Sequence, residues 1–335
     1  EFRRVLFRSI SAAVSAALPG IATAQLEEVI VTSERREASV QDVPIAVSAF
    51  GEELVEQLQI DDTLDLIHVV PNLFGGNNTG LGTANMYYLR AQGNDESIAT
   101  FDPPVGTYVD DVYITRQNIN NVTLFDVERI EVLRGPASSL YGNSSGGVIA
   151  VRSELGDTEP YTEGRIAGGE FGYLQYGLKS AGQLKSADYL LNISRTELDG
   201  YRDHSQFRGT QLNGRLGIPI GENDRLLVAA NFADQPRAQD PGGIDAAQAA
   251  MDPSSARDRN VQFDASEVVE QQRIGFVYER ERDSGTLTLR NYYLWRDFAN
   301  KLPFTGGGAV DLDRFFYGVG AQYSLGEVLP DRAAL

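Results

Sequence analysis

The stretch VERIEVLRGPASSLYGNSSGGVIAVR, residues 127–152, constrains the fold more than any other part of the chain. Val127, Ile130 and Val132 are β-branched, with Glu128, Arg129 and Glu131 among them, which predicts a half-buried strand over Val127–Leu133. Gly135-Pro136 breaks it, because proline brings no N–H to a ladder and its fixed φ suits a first helical turn. Ser138–Tyr141 is predicted as one short turn of helix, stopped by Gly142. Gly146-Gly147 permits a tight bend, and Val148–Val151 returns as a second strand.

The rest of the chain divides by texture. Pro44–Phe50 reads as a strand, Glu52–Leu58 as a helix with acidic residues at its positive end, and Thr63–Ile67 as a second short helix capped by Asp61 or Asp62. Asn72–Gly82 is a loop by its Gly and Asn content, with no phosphate-binding pattern. Met86–Arg90 is a strand, and Val105–Tyr113 carries a solvated turn at Asp110-Asp111. From Tyr161 the pattern becomes alternating strands. Tyr189, Leu191 and Ile193 alternate with Leu190, Asn192 and Ser194. Phe315, Tyr317 and Val319 alternate with Phe316, Gly318 and Gly320. Pro236–Ile244, extended to Val261, is a loop between strands. At roughly 20–25 residues per strand with its connection, residues 155–335 hold about eight strands. A soluble β-sandwich shows the same period of two.

Composition narrows the choice. No apolar run reaches the roughly 18 residues of a membrane helix, so a membrane-spanning form of this chain is a β-barrel. Zero Cys excludes a disulfide framework and thiolate metal sites, and two His make a transition-metal site from protein ligands improbable, so no metal or cofactor is expected. A net charge of −18 excludes nucleic acid as a partner. Residues 1–24 read as a residual secretory signal. Its first nine residues resemble an adapter read-through, an apolar run follows at Ile10–Leu18, and Ala22-Thr23-Ala24 fits a cleavage site. Next comes Glu28-Val29-Ile30-Val31-Thr32, a short isolated strand able to add to another protein's sheet edge.

VERIEVLRGP followed by SSLYG and a Gly-Gly strand closely resembles the end of the plug domain of TonB-dependent outer-membrane receptors, and EEVIVTSER resembles their TonB box. LRAQG and VGTYVDDVY are also similar to plug segments, although Ala91-Gln92 departs from the usual wording. The resemblance implies an α+β plug domain followed by the first strands of an antiparallel transmembrane β-barrel. The domains would be residues 25–154 for TonB box and plug and 155–335 for a partial barrel. Plugged barrels of this kind need about 22 strands, so the chain is read as a fragment.

It further implies TonB binding through Glu28, Val29, Ile30, Val31 and Thr32. Arg90 and Arg134 would be latches facing barrel carboxylates, and Gly135, Pro136, Tyr141, Gly142, Gly146 and Gly147 the plug motif. The expected partners are TonB with its inner-membrane complex, outer-membrane lipid and an extracellular small molecule, in a Gram-negative outer membrane. A siderophore or other iron chelate is the default ligand. Cobalamin, copper, a carbohydrate or a quinone cofactor are alternatives; Arg296–Gly308 together with Pro236–Ile244 resembles a receptor subgroup that includes quinone-cofactor and copper receptors, and no ligand is assigned from it. Tyr292, Tyr293 and Trp295 are placed in an aromatic girdle.

Catalysis is not expected. Gly142–Gly146 matches G-x-S-x-G, but a nucleophile elbow needs Ser144 between a strand and a following helix, and here a helical turn precedes it. His204 lies in a polar loop, and His68 is read as a packed residue. A signalling receptor is disfavoured, because no folded domain stands before the TonB box.

Overall fold

The computed structural model describes residues 30–32, 38–41, 43–77, 84–94, 102–114, 116, 119–122, 124–142, 144–154, 156, 159–306 and 308–325. Its elements, in chain order, begin with β1 (Ile30–Val31), β2 (Ala38–Ser39), β3 (Val47–Gly51) and α1 (Glu52–Gln57). A 3-10 turn at Asp65–His68 precedes β4 (Leu73–Asn77), β5 (Asn85–Leu89), β6 (Gln92–Gly93), β7 (Val105–Val109) and β8 (Val112–Ile114). Then come β9 (Val127–Arg134), α2 (Ser138–Tyr141) and β10 (Gly147–Ser153). The remainder is β11 (Tyr161–Gly168), β12 (Leu174–Leu184), β13 (Ala187–Leu198), β14 (Phe207–Pro219), β15 (Asp224–Gln239), α3 (Ala246–Met251), α4 (Asp258–Gln262), β16 (Ser266–Arg282), β17 (Gly285–Lys301) and β18 (Ala309–Leu325).

The strand, helical turn and strand of residues 127–152 build the centre of a five-stranded sheet of order β3-β9-β10-β7-β8. β10 pairs antiparallel with β9 and parallel with β7. Ile130, Val132 and Ile149 are completely buried and pack with Phe50, Val55 and Leu66 into one core. The Gly-rich segment read as a loop is in part a strand: Leu73–Asn77 pairs antiparallel with β5, whose long-range ladder overrides the weak strand propensity of Gly75-Gly76. Residues 78–82 lie outside the described set.

β11 to β18 form one antiparallel meander of eight strands. It is not closed: among the described residues β11 and β18 each have one neighbour. Connections at one end are short, at 185–186, 220–223 and 283–284. Those at the other are long, the longest at 240–265. Outer-membrane barrels put short turns in the periplasm and long loops outside. The 240–265 connection is more ordered than a plain loop. β15 runs through Pro236 with a register shift, and α3 and α4 follow, Asp245 capping α3 by accepting from the Gln248 N–H at 2.8 Å. Arg296–Lys301 likewise belongs to β17.

The alternation predicted from sequence becomes two faces. Ile166, Leu178, Leu191, Trp295, Phe315, Tyr317 and Val319 point outward and stay exposed. Lys179, Asn192, Arg215, Gln271 and Arg296 point inward and are buried. The outward series turns acidic at Asp234, Glu270, Asp297 and Asp313, which are register partners across β15–β18 and mark the outer edge of the apolar band. The expected girdle splits, because neighbouring residues of a strand face opposite ways. Tyr293 and Trp295 stack outside with Phe315, whereas Tyr292 faces inward across Gly318.

Candidate functional site

The N-terminal body stands against the inward face of the eight-stranded wall, and three zones join them. The first is at the short-turn end. β1 pairs antiparallel with β2, and Val31 is fully buried. Both carboxylate oxygens of Glu131 accept from the Thr32 N–H, at 2.8 and 2.9 Å, and the Thr32 hydroxyl donates to Oε1 at 3.1 Å. Glu131 is 2% exposed and is held by Arg129 at 2.8 Å. Arg152 reaches the Thr32 hydroxyl at 3.5 Å and Asp111 at 3.9 Å, and Asp111 meets Arg290 of the wall at 3.7 Å. A cavity of about 330 Å³ opens beside Thr32, Arg152 and Arg290. The end of the candidate partner-binding strand is thus clasped by one buried carboxylate. Glu28 and Val29 lie outside the described residues.

Charged acceptors are worth about 1.5–3 kcal/mol each. Glu131→Gln keeps the shape but removes the charge. It is expected to raise hydrogen exchange at the Thr32 amide by about ten-fold or more, with the exchange of β9 little changed.

The second zone is the seam. Lys179 of β12 is buried and pairs with Glu154 at 2.8 Å and Glu163 at 3.4 Å, and lies over the rings of Phe125 and Tyr161. Arg215 donates to the carbonyls of Ser153 at 2.6 Å and Glu154 at 3.1 Å, and Arg273 to that of Val112 at 3.2 Å. Arg165 pairs with Asp61. Ile119 adds an apolar contact with Ala233, Val269 and Phe298.

The family-derived latches sit elsewhere. Arg90 is exposed with φ +51° and Arg134 half-buried, and neither has an ion pair among the described residues. Which wall residues face a given plug arginine depends on barrel register, which local wording does not carry. The Asp110-Asp111 turn is also less solvated than expected. Asp110 accepts from the Ser153 N–H at 2.9 Å and its hydroxyl at 2.8 Å, and Asp111 lies between two arginines. The motif glycines take the backbone shapes they are suited to, with φ +153° at Gly135, +67° at Gly142 and +150° at Gly147. Pro136 is exposed, Gly146 donates its N–H to Pro104 O at 2.9 Å, and Tyr141 is buried, its carbonyl accepting from the Tyr108 hydroxyl.

The third zone is a cavity of about 170 Å³ toward the long connections, between Asp62 and Asn121 of the N-terminal body and Tyr173, Thr196 and Gln211 of the wall. Burial, and then repulsion from Asp65, push the Asp62 carboxyl up to about 6. Burial does the same at Asp126, also up to about 6, beside Asn192 and Asn213. A raised carboxyl favours the folded state while protonated. Its penalty grows as pH climbs from about 4 through about 6 and reaches up to about 3 kcal/mol above that. Asp126→Asn is therefore expected to stabilise this body at pH 7.5 by about 1–3 kcal/mol and to flatten its pH dependence between pH 4 and 7, read by hydrogen exchange of β10.

Residues singled out for catalysis do not converge. Ser144 is completely buried, near the Tyr141 carbonyl at 3.5 Å. His204 Nε2 donates to the Ala265 carbonyl at 2.9 Å in the long connection. His68 is exposed rather than packed, on the last residue of its 3-10 turn. Glu131, Lys179, Arg215 and Arg273 were not foreseen. Only a charged residue at an inward strand position could have flagged them.

Residues 39–148 match the TonB-dependent Receptor Plug Domain family. The chain is 25% identical over 178 residues to the vitamin B12 transporter BtuB of Vibrio vulnificus, covering 52% of this chain and 28% of that protein. It is 30% identical over 243 residues to the iron-regulated outer membrane virulence protein of Vibrio cholerae serotype O1, covering 66% and 36%. In fold it is similar to the unliganded ferric citrate transporter FecA, with TM-score 0.74 and 17% identity over 90% of this chain and 47% of that one. The chain spans about a third of the length of the curated relatives it matches.

Proposed function

Because this chain belongs to the TonB-dependent receptors of the Gram-negative outer membrane, with its plug domain followed by part of the β-barrel, we propose that it serves energy-coupled uptake of a scarce ligand, a siderophore or other iron chelate. The observation that carries this reading is the clasp of Thr32 by Glu131 at the periplasmic end, on the opposite side of the plug from the cavity around Asp62 and Asn121. In this reading the cavity and the long connections bind ligand outside. Occupancy shifts the plug toward a state in which Glu28–Thr32 leaves the clasp. TonB adds a strand to that segment through main-chain hydrogen bonds, and a pull on it reaches β9 along the chain through β3. Arg90 and Arg134 serve as latches toward wall carboxylates outside the described strands. The relatives include a vitamin B12 transporter and a probable TonB-dependent siderophore receptor, and no bond of the ligand is broken, so the protein is not an enzyme in this reading. The likeness to BtuB supports cobalamin as the second reading.

The test uses the complete receptor in an iron-limited host. Ile30→Pro removes a donor from the strand that TonB would extend. Uptake of radiolabelled iron chelate is expected to fall to the level of a host lacking TonB, with ligand binding retained. Undiminished uptake in that variant would sink the proposal, and uptake of cobalamin alone would favour the second reading.

A further inference from the structure

The connections β11–β12, β13–β14, β15–β16 and β17–β18 stand at the outer end of the described wall, and each is tied to the next. The Asp199 and Gly200 N–H groups donate to the Phe171 carbonyl at 3.0 and 3.1 Å, and the Phe171 and Tyr201 rings meet edge to face with centroids 5.3 Å apart. The Arg202 guanidinium then grips the 240–265 connection. It donates to the Gly242 carbonyl at 2.6 Å, to that of Ser255 at 3.1 and 2.8 Å, and to that of Pro241 at 3.4 Å. The Asp203 N–H donates to the Ser254 carbonyl at 2.8 Å and His204 Nε2 to the Ala265 carbonyl at 2.9 Å. Three successive residues thus hold the start, the middle and the end of that connection. Farther round, Arg259 Nη2 donates to the Thr305 hydroxyl at 3.4 Å, and Lys301 pairs with Asp264 at 2.7 Å.

A guanidinium is a rigid planar fork of donors. Carbonyls from Pro241, Gly242 and Ser255 converge on one such fork only if the chain between them is itself fixed. It is closed from within as well. The Arg257 N–H donates to the Pro241 carbonyl at 2.8 Å, and the buried Asn260 amide donates to the Asp240 carbonyl at 3.1 Å and its carboxylate at 3.0 Å. A segment that orders only when ligand arrives loses conformational entropy at that moment and weakens binding. Here that entropy is lost on folding. We propose that these ties make the outer rim of β11–β18 a fixed hoop clamped by Arg202, so that the 240–265 connection presents a preformed surface and does not fold over the ligand. This rests on the reading of the protein as an uptake receptor and assigns which of its outer segments stays still.

The test is hydrogen exchange of the complete receptor in detergent, without ligand. Exchange over 241–262 is expected to be slow in wild type and at least about ten-fold faster in Arg202→Gln, with β14 and β15 still protected. Arg202→Lys should fall between them, because one ammonium cannot serve three carbonyls at once. Exchange in wild type as fast as in Arg202→Gln overturns the proposal. A second arm joins Asp203→Cys to Ser254→Cys with a short bismaleimide; residues 1–335 contain no Cys, so no other thiol in this part of the receptor reacts. Uptake of radiolabelled ferric citrate, ferrioxamine B and cyanocobalamin is followed in an iron-limited host. Whichever of these is transported should enter equally fast before and after cross-linking. Loss of uptake on cross-linking means that the connection has to move and overturns the proposal. Where none of the three is transported, the exchange measurement decides alone. The two readings fail separately. Undiminished uptake in Ile30→Pro sinks the coupled transporter and leaves the hoop to the exchange result, whereas fast exchange in wild type refutes the hoop and keeps the transporter.

Discussion

Gly147→Ala is expected to unfold the plug while the barrel strands stay in place. Gly147 opens β10 with φ +150°, a conformation L side chains rarely adopt. It pairs with Arg134 on one side and Val105 on the other, so the sheet cannot move away from it. A Cβ there would collide with the Leu133 carbonyl oxygen and with Cδ2 of Leu89, both in the fully buried interior. Strain of this kind costs about 1–3 kcal/mol and overpacking a similar amount, so a total loss of about 2–5 kcal/mol is expected. That is a large share of what holds a domain of this size together. The measurement is hydrogen exchange of β9 and β10 beside the heat-modifiable gel mobility of the barrel. Full protection of both strands in the variant would show that the backbone there is not fixed as described.

Lys179→Met is expected to be the most damaging change at the seam. The ammonium is 4% exposed and Glu154 14%, so both charges were desolvated to meet. Removing the cation leaves Glu154 with the Tyr161 hydroxyl and no compensating charge. Breaking a buried pair in this way costs about 3–5 kcal/mol, against the near-zero value of an exposed pair. The outer partners Glu163 and Glu52 are about half exposed and contribute little. Plug protection should therefore fall by several hundred-fold or more. The double variant Lys179→Met/Glu154→Gln should recover most of it, because no uncompensated charge remains. Equal losses in the single and double variants would mean that Lys179 acts through packing over Phe125 rather than through charge.

Much of the local architecture is legible in the residues. The strand, turn and strand of 127–152 and the break at Gly142 follow from β-branched residues, one proline and glycines with suitable φ values. The count of barrel strands follows from chain length, and their two faces from alternation. The misreadings have two causes. Leu73–Asn77 is a strand because β5 lies beside it, and Pro236 is tolerated where the β15 register shifts. Tyr292 faces the lumen because its neighbour Tyr293 faces out. The first two depend on a partner distant in sequence, which propensity does not see, whereas the third follows from the alternation of side chains along a strand.

By itself, then, the sequence determined the elements, their faces and the match of residues 39–148 to the plug-domain family, since those are written in local spacing and short-range wording. Tertiary structure alone decided that Glu131 holds Thr32 and that Lys179 rather than Arg90 or Arg134 supplies the buried ion pair at the described seam. The reason is geometric. A strand's side-chain period says which way a residue points, but the residue it meets across the lumen is set by register summed over every strand between them.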